Sequence, residues 1–292
     1  IALALSAGAT ALALLPMFAA FEAHVINVTA RIENALSVTT DAIDFGTVFP
    51  QQELEKDIHV ELSRSFLEEP RVDDVDYIIR QKPKCAVTIN DGQTIIGETH
   101  TGHVVASSTA PNGYIIDCGP DPRPLDPLGN PLPPNSDWGP LPLLCPYLSK
   151  HKFQDPDPNQ QEVQINAFHK PWAIVNGEVV WNEAKGRLAK SQEDIMDWWL
   201  IDLKVPCFGD HCGQDWGSFV HEINPNADPQ QYILPQNLEH KIFGCDLWVE
   251  VTDVSMNTNQ CTDTVDNDGD TLVDVADPGC LTGDTTTEAD ND

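Results

Sequence analysis

Short runs in which apolar and polar residues alternate recur along the chain, and they constrain its fold more than any other feature. In residues 25–36 (VINVTARIENAL) apolar side chains occupy every second position from Ile26 to Ile32. The same period of two returns in residues 56–66, 75–89 and 240–255. Because successive side chains of a β-strand point to opposite faces, these runs predict strands with one face buried.

Other segments add to this β pattern. Residues 102–108 (GHVVASS) and 113–119 (GYIIDCG) predict two short strands. In residues 162–181, the pair Asn176-Gly177 supplies the positive-φ residues that a tight hairpin turn requires, with apolar residues on both sides. A hairpin is therefore expected there.

Two segments carry helix signals. Residues 191–199 (SQEDIMDWW) begin with Ser191 as a candidate cap before two acidic residues, and residues 212–225 predict a second short helix that ends at a proline. Many short strands with two brief helices predict a mainly β fold. We expect an antiparallel β-sandwich with long loop insertions over residues 23–256.

The N-terminal segment, residues 1–22, is almost entirely apolar, and its first 21 residues carry no charge. One interpretation is the apolar core of a signal peptide, cleaved near Ala20 or Ala23. The other is a retained N-terminal helix, because about 20 apolar residues suffice to span a bilayer or to form the helical core of a filament. Either interpretation predicts export, and the second allows membrane contact through residues 1–21.

The cysteines also indicate a location outside the cytosol. The chain has 8 of them, with no spacing typical of a zinc site. Disulfides are the better interpretation, and they persist in oxidising compartments. The local pairs we predict are Cys207–Cys212 and Cys261–Cys280.

The charge balance excludes some partners. With 46 acidic against 16 basic residues, the net charge is -30. Such a surface repels the phosphates of nucleic acids and anionic lipids, and it attracts divalent cations.

Residues 119–160 differ in composition from the rest, because they hold many of the chain's 23 prolines. Proline removes a backbone donor and fixes φ, so this region is expected to be neither sheet interior nor helix. Leucines and Trp138 are interspersed, which favours an ordered loop packed on the domain, held by a Cys118–Cys145 disulfide. A disordered Pro-rich linker is the alternative.

Residues 257–292 form an acidic tail in which aspartates cluster between Cys261 and Cys280. Hard oxygen ligands at this density suit Ca²⁺. The spacing resembles the calcium loops of EF-hand, dockerin and thrombospondin type 3 modules, in which glycine follows the third ligand position of D-x-D-x-D-G, although here Gly269 precedes Asp270 and position 264 is Thr. A solvated acidic tail is the alternative. The candidate metal ligands are Asp263, Asp266, Asp268, Asp270, Asp274 and Asp277.

No motif indicates catalysis. The chain has no GxSxG, no P-loop and no GxGxxG, and its acidic residues are too numerous to single out a catalytic pair. The sequence therefore does not favour an enzyme. A secreted hydrolase remains an alternative, supported only by the tryptophans Trp172, Trp181, Trp198 and Trp199, for which core packing is the better explanation.

The order of features in residues 12–66 resembles the TasA/camelysin group of exported prokaryotic surface proteins. The likeness rests on the apolar leader, the alternating segment that follows it and the sequence DFGTVFP at residues 44–50. It implies a jelly-roll sandwich that assembles into extracellular fibres of a biofilm matrix, in which the N-terminal strand of one subunit completes the sheet of the next.

The sequence thus predicts a cell-surface filament subunit whose partners are copies of itself and divalent cations. The terminal strand lies at the start of the domain, where it is free to pair with another molecule through its backbone. The residues expected to mediate assembly are Val25, Ile26, Val28, Ala30 and Ile32. The main alternative is a membrane-anchored, monomeric surface binding or adhesion protein.

Overall fold

The structure is a computed structural model that describes residues 33–39, 42–120, 133–152 and 163–256. These residues form a mainly β fold of antiparallel sheets with two α-helices. The strands are β1 (Leu36–Val38), β2 (Glu53–Leu62), β3 (Val72–Lys82), β4 (Lys84–Ile89), β5 (Thr94–Thr101), β6 (His103–Ala106), β7 (Tyr114–Asp117), β8 (Asp137–Pro140), β9 (Leu148–Lys152), β10 (Trp172–Val175), β11 (Glu178–Trp181), β12 (Glu183–Ala189), β13 (Met196–Lys204) and β14 (Asp246–Met256).

Two sheets supply most of the core. One has four strands in the order β1-β2-β13-β9, and the other has three in the order β12-β3-β14. The alternation of the sequence is confirmed in both, since Ile58, Val60 and Leu62 of β2 are buried while their neighbours are more exposed. In β3, the alternate residues Val75, Tyr77 and Ile79 are at most 1% exposed.

The inward faces of these two sheets contribute to one buried cluster. Burial of such aliphatic and aromatic side chains is the main favourable term in folding. The cluster includes Ile58, Val60, Leu62, Val75, Tyr77, Ile79, Ala184, Leu188, Trp199, Ile201 and Leu203 from the four strands β2, β3, β12 and β13.

The remaining sheets are smaller and contain the other predicted strands. β5, β4 and β8 form a three-stranded sheet, β6 pairs with β7, and β10 pairs with β11. The β10–β11 hairpin turns at Asn176 and Gly177, whose φ angles are 53° and 84°. The predicted hairpin is confirmed, because these are the two positions at which a primed turn needs a positive φ.

The helices lie partly where they were predicted. The helix Trp216–Ile223 lies within residues 212–225, as expected. The helix expected in residues 191–199 is wrong: a 3-10 turn at Lys190–Gln192 is followed by β13. The second α-helix is Arg64–Glu68, capped by the Ser63 side chain, which accepts from the Phe66 N–H.

The Pro-rich region is more regular than a loop. Its described part contains β8, a 3-10 turn at Cys145–Tyr147 and β9. β8 is an edge strand, where a proline removes no required hydrogen bond. β9 is an edge strand as well, so residues 133–152 contain no interior strand and no α-helix, as expected, although two edge strands replace part of the predicted ordered loop.

Three disulfides join the six described cysteines. Cys207 bonds to Cys212, the local pair predicted from the sequence. The expected Cys118–Cys145 bond is wrong, because Cys118 bonds to Cys85 and Cys145 bonds to Cys245. Sequence spacing does not specify pairing, and the folded backbone brings Cα atoms within bonding range of partners 33 and 100 residues away.

Candidate functional site

The first candidate site is the edge of the four-stranded sheet at β1. This strand pairs antiparallel with β2, and its first pair is Leu36 with Leu62. The Ser63 N–H donates to the Ala35 carbonyl at 2.8 Å, and the Ser63 hydroxyl donates to the Asn34 carbonyl at 2.5 Å. The chain from residue 34 onward is thus anchored beside the C-terminal end of β2.

β2 ends where this pairing begins. Leu62 is its last residue, Ser63 is the helix cap, and the chain then turns into the helix Arg64–Glu68. The helix satisfies its own backbone groups, so it offers no ladder for a further strand. β2 consequently has no residues left with which the chain before residue 34 could pair.

The predicted assembly residues 25–32 lie outside the described residues, and so do residues 1–22. The structure shows where this segment joins the fold, because β1 begins at Leu36, the last residue of the alternating segment. Among the described strands, β1 pairs with β2 and no other. An edge strand of this kind exposes unpaired N–H and C=O groups.

The three-stranded sheet β12-β3-β14 has a long edge strand, β14. It pairs with β3 over eleven residues, with irregularities between Val251 and Asp253 and between Val254 and Met256. Its Trp248 is 42% exposed, and the Lys82 ammonium lies 3.6 Å from the centre of that ring. Bulges and a charged neighbour are common protections of an edge against non-specific pairing.

A second candidate site is a group of polar side chains within the core. Asp197 on β13 is fully buried, and one of its oxygens, Oδ1, lies 2.9 Å from Lys152 Nζ on β9. The Tyr77 hydroxyl donates to the other oxygen, Oδ2, and the indole N–H of Trp199 donates to the Tyr77 oxygen at 2.6 Å. These groups connect the two sheets through the core.

Burial raises the pKa of Asp197 to about 6, and the bonds from Tyr77 and Lys152 oppose that rise. An acidic residue on the inward face of a strand is costly unless it is paired. The sequence contained a signal for this inward position. Asp197, Trp199 and Ile201 are two residues apart and therefore lie on the same face of a strand. Because a helix was predicted for residues 191–199, this period of two was not interpreted as a strand.

A third group surrounds Lys150. Its side chain is fully buried, its Nζ has no hydrogen-bond partner among the described residues, and burial lowers its pKa to about 7. His169 Nε2 lies 2.5 Å from Gln81 Oε1, and Gln81 Nε2 donates to the Leu148 carbonyl. Burial, followed by the charge of Lys150, lowers the pKa of His169 to about 3.

Beside this group lies a cleft of about 500 Å³. Its walls include the aromatic side chains of Tyr114, Tyr147, Trp172 and Tyr232, with His169 at one side. Trp172 is buried and contacts both Tyr114 and Trp181 edge to face. Trp199 is also buried, so these two tryptophans serve the packing of the fold.

The predicted calcium ligands lie outside the described residues, as do Cys261 and Cys280. Within the described ranges, no group of three or more His, Cys, Asp or Glu side chains is arranged to hold a metal ion. In the same ranges, no helix is both long and apolar enough to cross a membrane.

Comparisons with known proteins add no relative. No family model matches the chain, and no curated protein or solved structure matches it at a significant level.

Proposed function

We propose that this protein is a structural subunit of an extracellular, cell-surface filament. Each copy would insert its N-terminal segment, residues 25–32, into the sheet of the next copy as an added strand. Contacts of this head-to-tail kind do not close and therefore grow a fibre. Backbone hydrogen bonds supply the affinity, and alternate apolar side chains supply the register.

The end of β2 at Leu62 is the observation that carries this proposal. The alternating run starts before β1, yet β2 can pair with the chain only from about residue 35 onward. The alternating segment therefore precedes the edge strand β1 at the point where β2, the strand paired with β1, has ended. A second molecule offers the missing partner.

We further propose that the two larger sheets are the layers of a jelly-roll-like sandwich preceded by an N-terminal helix. The shared buried cluster supports the layers, as do the hydrogen bonds that join Trp199 to Tyr77 and Tyr77 to Asp197. A β domain with three disulfides among its described residues suits an extracellular protein.

Negative-stain microscopy of the purified chain tests the filament. We expect unbranched fibres from the wild type and discrete particles from Ile26→Asp/Val28→Asp, because unpaired charges on the inserted face are costly to bury. The matched control is Asn27→Gln/Thr29→Ser on the opposite face, which should still form fibres.

Discrete particles from the wild type would favour the membrane-anchored monomeric binding protein instead. Fibres that persist in Ile26→Asp/Val28→Asp would show that assembly uses another surface. A synthetic peptide of residues 23–36 provides a second test. It should stop fibre growth when it is added at an amount comparable to that of the subunit.

We also propose that residues 257–292 bind Ca²⁺ within a loop closed by Cys261 and Cys280. The support is the density of carboxylates, which together supply the six to eight oxygens that Ca²⁺ takes. A disulfide across the 19-residue separation would stabilise the loop by on the order of 3 kcal/mol.

Calorimetric titration of the whole chelator-treated protein with Ca²⁺ tests this site. The variant Asp266→Asn/Asp268→Asn/Asp270→Asn should lose the binding heat, whereas Asp284→Asn beyond the loop should retain it. Equal heats for both variants would contradict the assignment of these ligands.

A further inference from the structure

The Lys152–Asp197 pair has the geometry of two groups that can react with each other. Lys152 is the last residue of β9, and Asp197 lies diagonally across from it on β13. The side chains of Lys152 and Asp197 are 8% and 0% exposed, and the amine nitrogen is 2.9 Å from a carboxyl oxygen.

Tyr77 is placed to polarise the Asp197 carboxyl. Its hydroxyl donates to Oδ2, on the side of the carboxyl away from the Lys152 contact. The Trp199 indole N–H donates to the Tyr77 hydroxyl oxygen at 2.6 Å. Because that oxygen accepts from Trp199, its own proton is directed at Asp197. A donor fixed on a carbonyl oxygen stabilises the negative charge that develops there during acyl transfer.

Burial reduces the free-energy cost of reaching the uncharged forms of the pair. Burial raises the pKa of Asp197 to about 6, and the nearby charge of Asp194 acts in the same direction. Two opposite charges in a dry interior pay a desolvation cost that their attraction only partly offsets. Transfer of one proton from the ammonium to the carboxylate yields a neutral amine beside a neutral carboxylic acid.

We propose that Lys152 and Asp197 join in an intramolecular isopeptide bond. The neutral Nζ attacks Asp197 Cγ, the Tyr77 hydroxyl stabilises the charge on Oδ2, and the new Nζ–Cγ bond forms. The Cγ–Oδ1 bond then breaks, and Oδ1 leaves as water with its own proton and one proton from Nζ. The products are one secondary amide and one water, so the reaction needs no oxidant, reductant or co-reactant.

The product suits the site better than the reactants do. It replaces two buried charged groups with one neutral amide whose oxygen still accepts from Tyr77. It also ties β9, an edge strand of the four-stranded sheet, covalently to the central strand β13. The bond forms whether or not the protein polymerises, so its test is independent of the filament.

Mass spectrometry of the full wild-type chain after disulfide reduction tests the bond. We expect an intact mass lower than the sequence mass by about 18 Da, equal to one water. Trypsin should release a branched peptide in which the fragment containing Lys152 is joined to residues 191–204. An unmodified fragment 191–204 as the main species would overturn the proposal, and this result requires no variant.

Variants then assign the residues. Lys152→Arg and Asp197→Ala should each restore the full sequence mass, whereas Lys150→Met, which changes another buried lysine of the same strand, should keep the loss of water. Tyr77→Phe retains both reacting groups and should slow bond formation after refolding by about tenfold or more, because a donor to the developing negative charge is lost. A loss of water that survives in Lys152→Arg would show that the dehydration lies elsewhere and would overturn the assignment.

Discussion

Gly186 lies directly opposite Tyr77 on the neighbouring strands β12 and β3, and the Tyr77 ring covers the space where a side chain at position 186 would begin. A Cβ there would overlap the ring carbon Cζ and the hydroxyl oxygen. Glycine in a strand often marks such a close approach. This glycine allows Tyr77 to reach Asp197.

Gly186→Ala should therefore destabilise the fold by about 1–3 kcal/mol through overpacking against Tyr77. It should also slow the Lys152–Asp197 reaction, because the Tyr77 hydroxyl would be displaced. The free energy of unfolding in urea measures the first effect. Gly139→Ala is the matched control, since nothing lies within 4 Å of the Cβ it would add on strand β8. Equal costs for the two variants would contradict the role of Gly186.

Lys150 should make stability depend on pH in the alkaline range. Its pKa in the fold is about 7, below the ordinary 10.5, so between these values the unfolded chain binds a proton that the fold does not. The free energy of unfolding should rise from pH 7 to about 10.5 on this account. Lys150→Met should be more stable than wild type near pH 7, with the difference shrinking towards pH 10.

Thermal unfolding at a series of pH values provides that measurement, with Lys170→Met on the exposed residue Lys170 as the control. The control should leave the pH dependence of wild type unchanged. If Lys150→Met has the same pH profile as wild type, then Lys150 is not buried in the neutral form.

His169 should act at the other end of the pH range. Its pKa is lowered from 6.5 to about 3 in the fold, so the unfolded chain takes up a proton first as the pH falls. The stability contributed by the neutral ring is present above pH 6.5 and is lost progressively towards pH 3. His169→Gln keeps a polar partner for Gln81 and should remove this part of the acid sensitivity. His103→Gln, on an exposed strand residue, should leave it in place.

The disulfides should differ in their contribution to stability. Cys145–Cys245 spans 100 residues, whereas Cys207–Cys212 spans 5. In the chain-entropy account, the loss of the long link costs about 4.7 kcal/mol and the loss of the short one about 2 kcal/mol. The paired alanine variants, compared by urea unfolding, should show the larger cost for Cys145→Ala/Cys245→Ala. The reverse order would contradict the pairing.

The period-two runs allowed most strands to be predicted, because burial of one sheet face leaves an alternation that the sequence records directly. Residues 56–62 and 75–89 fold as that pattern indicated, with a break at Pro83 between β3 and β4, whereas residues 64–66 of the predicted run 56–66 lie in the helix Arg64–Glu68. The Asn176-Gly177 turn follows from local φ preferences. The segment at 191–204 was harder. Its cap-like Ser191 and acidic residues favour a helix locally, whereas pairing of β13 with both β2 and β9 decides for a strand.

The Lys152–Asp197 site was harder to predict from the sequence than the strands were. Nothing in the sequence distinguishes Lys152 from the other lysines or Asp197 from the other acidic residues of this chain. Their contact depends on the register between β9 and β13, and their burial depends on the second sheet packing above them. The register and the burial both depend on contacts between residues far apart in the chain, which one sequence does not reveal.

By itself, the sequence determined that this chain builds sheets with one buried face, that its cysteines suit an oxidising compartment and that its surface is strongly acidic. These are sums over composition and local spacing. Only the tertiary structure decided which cysteines pair, where β2 ends relative to the N-terminal segment, and which lysine meets which aspartate. Those outcomes depend on distances between residues far apart in the chain, and such distances are set when the sheets pack together.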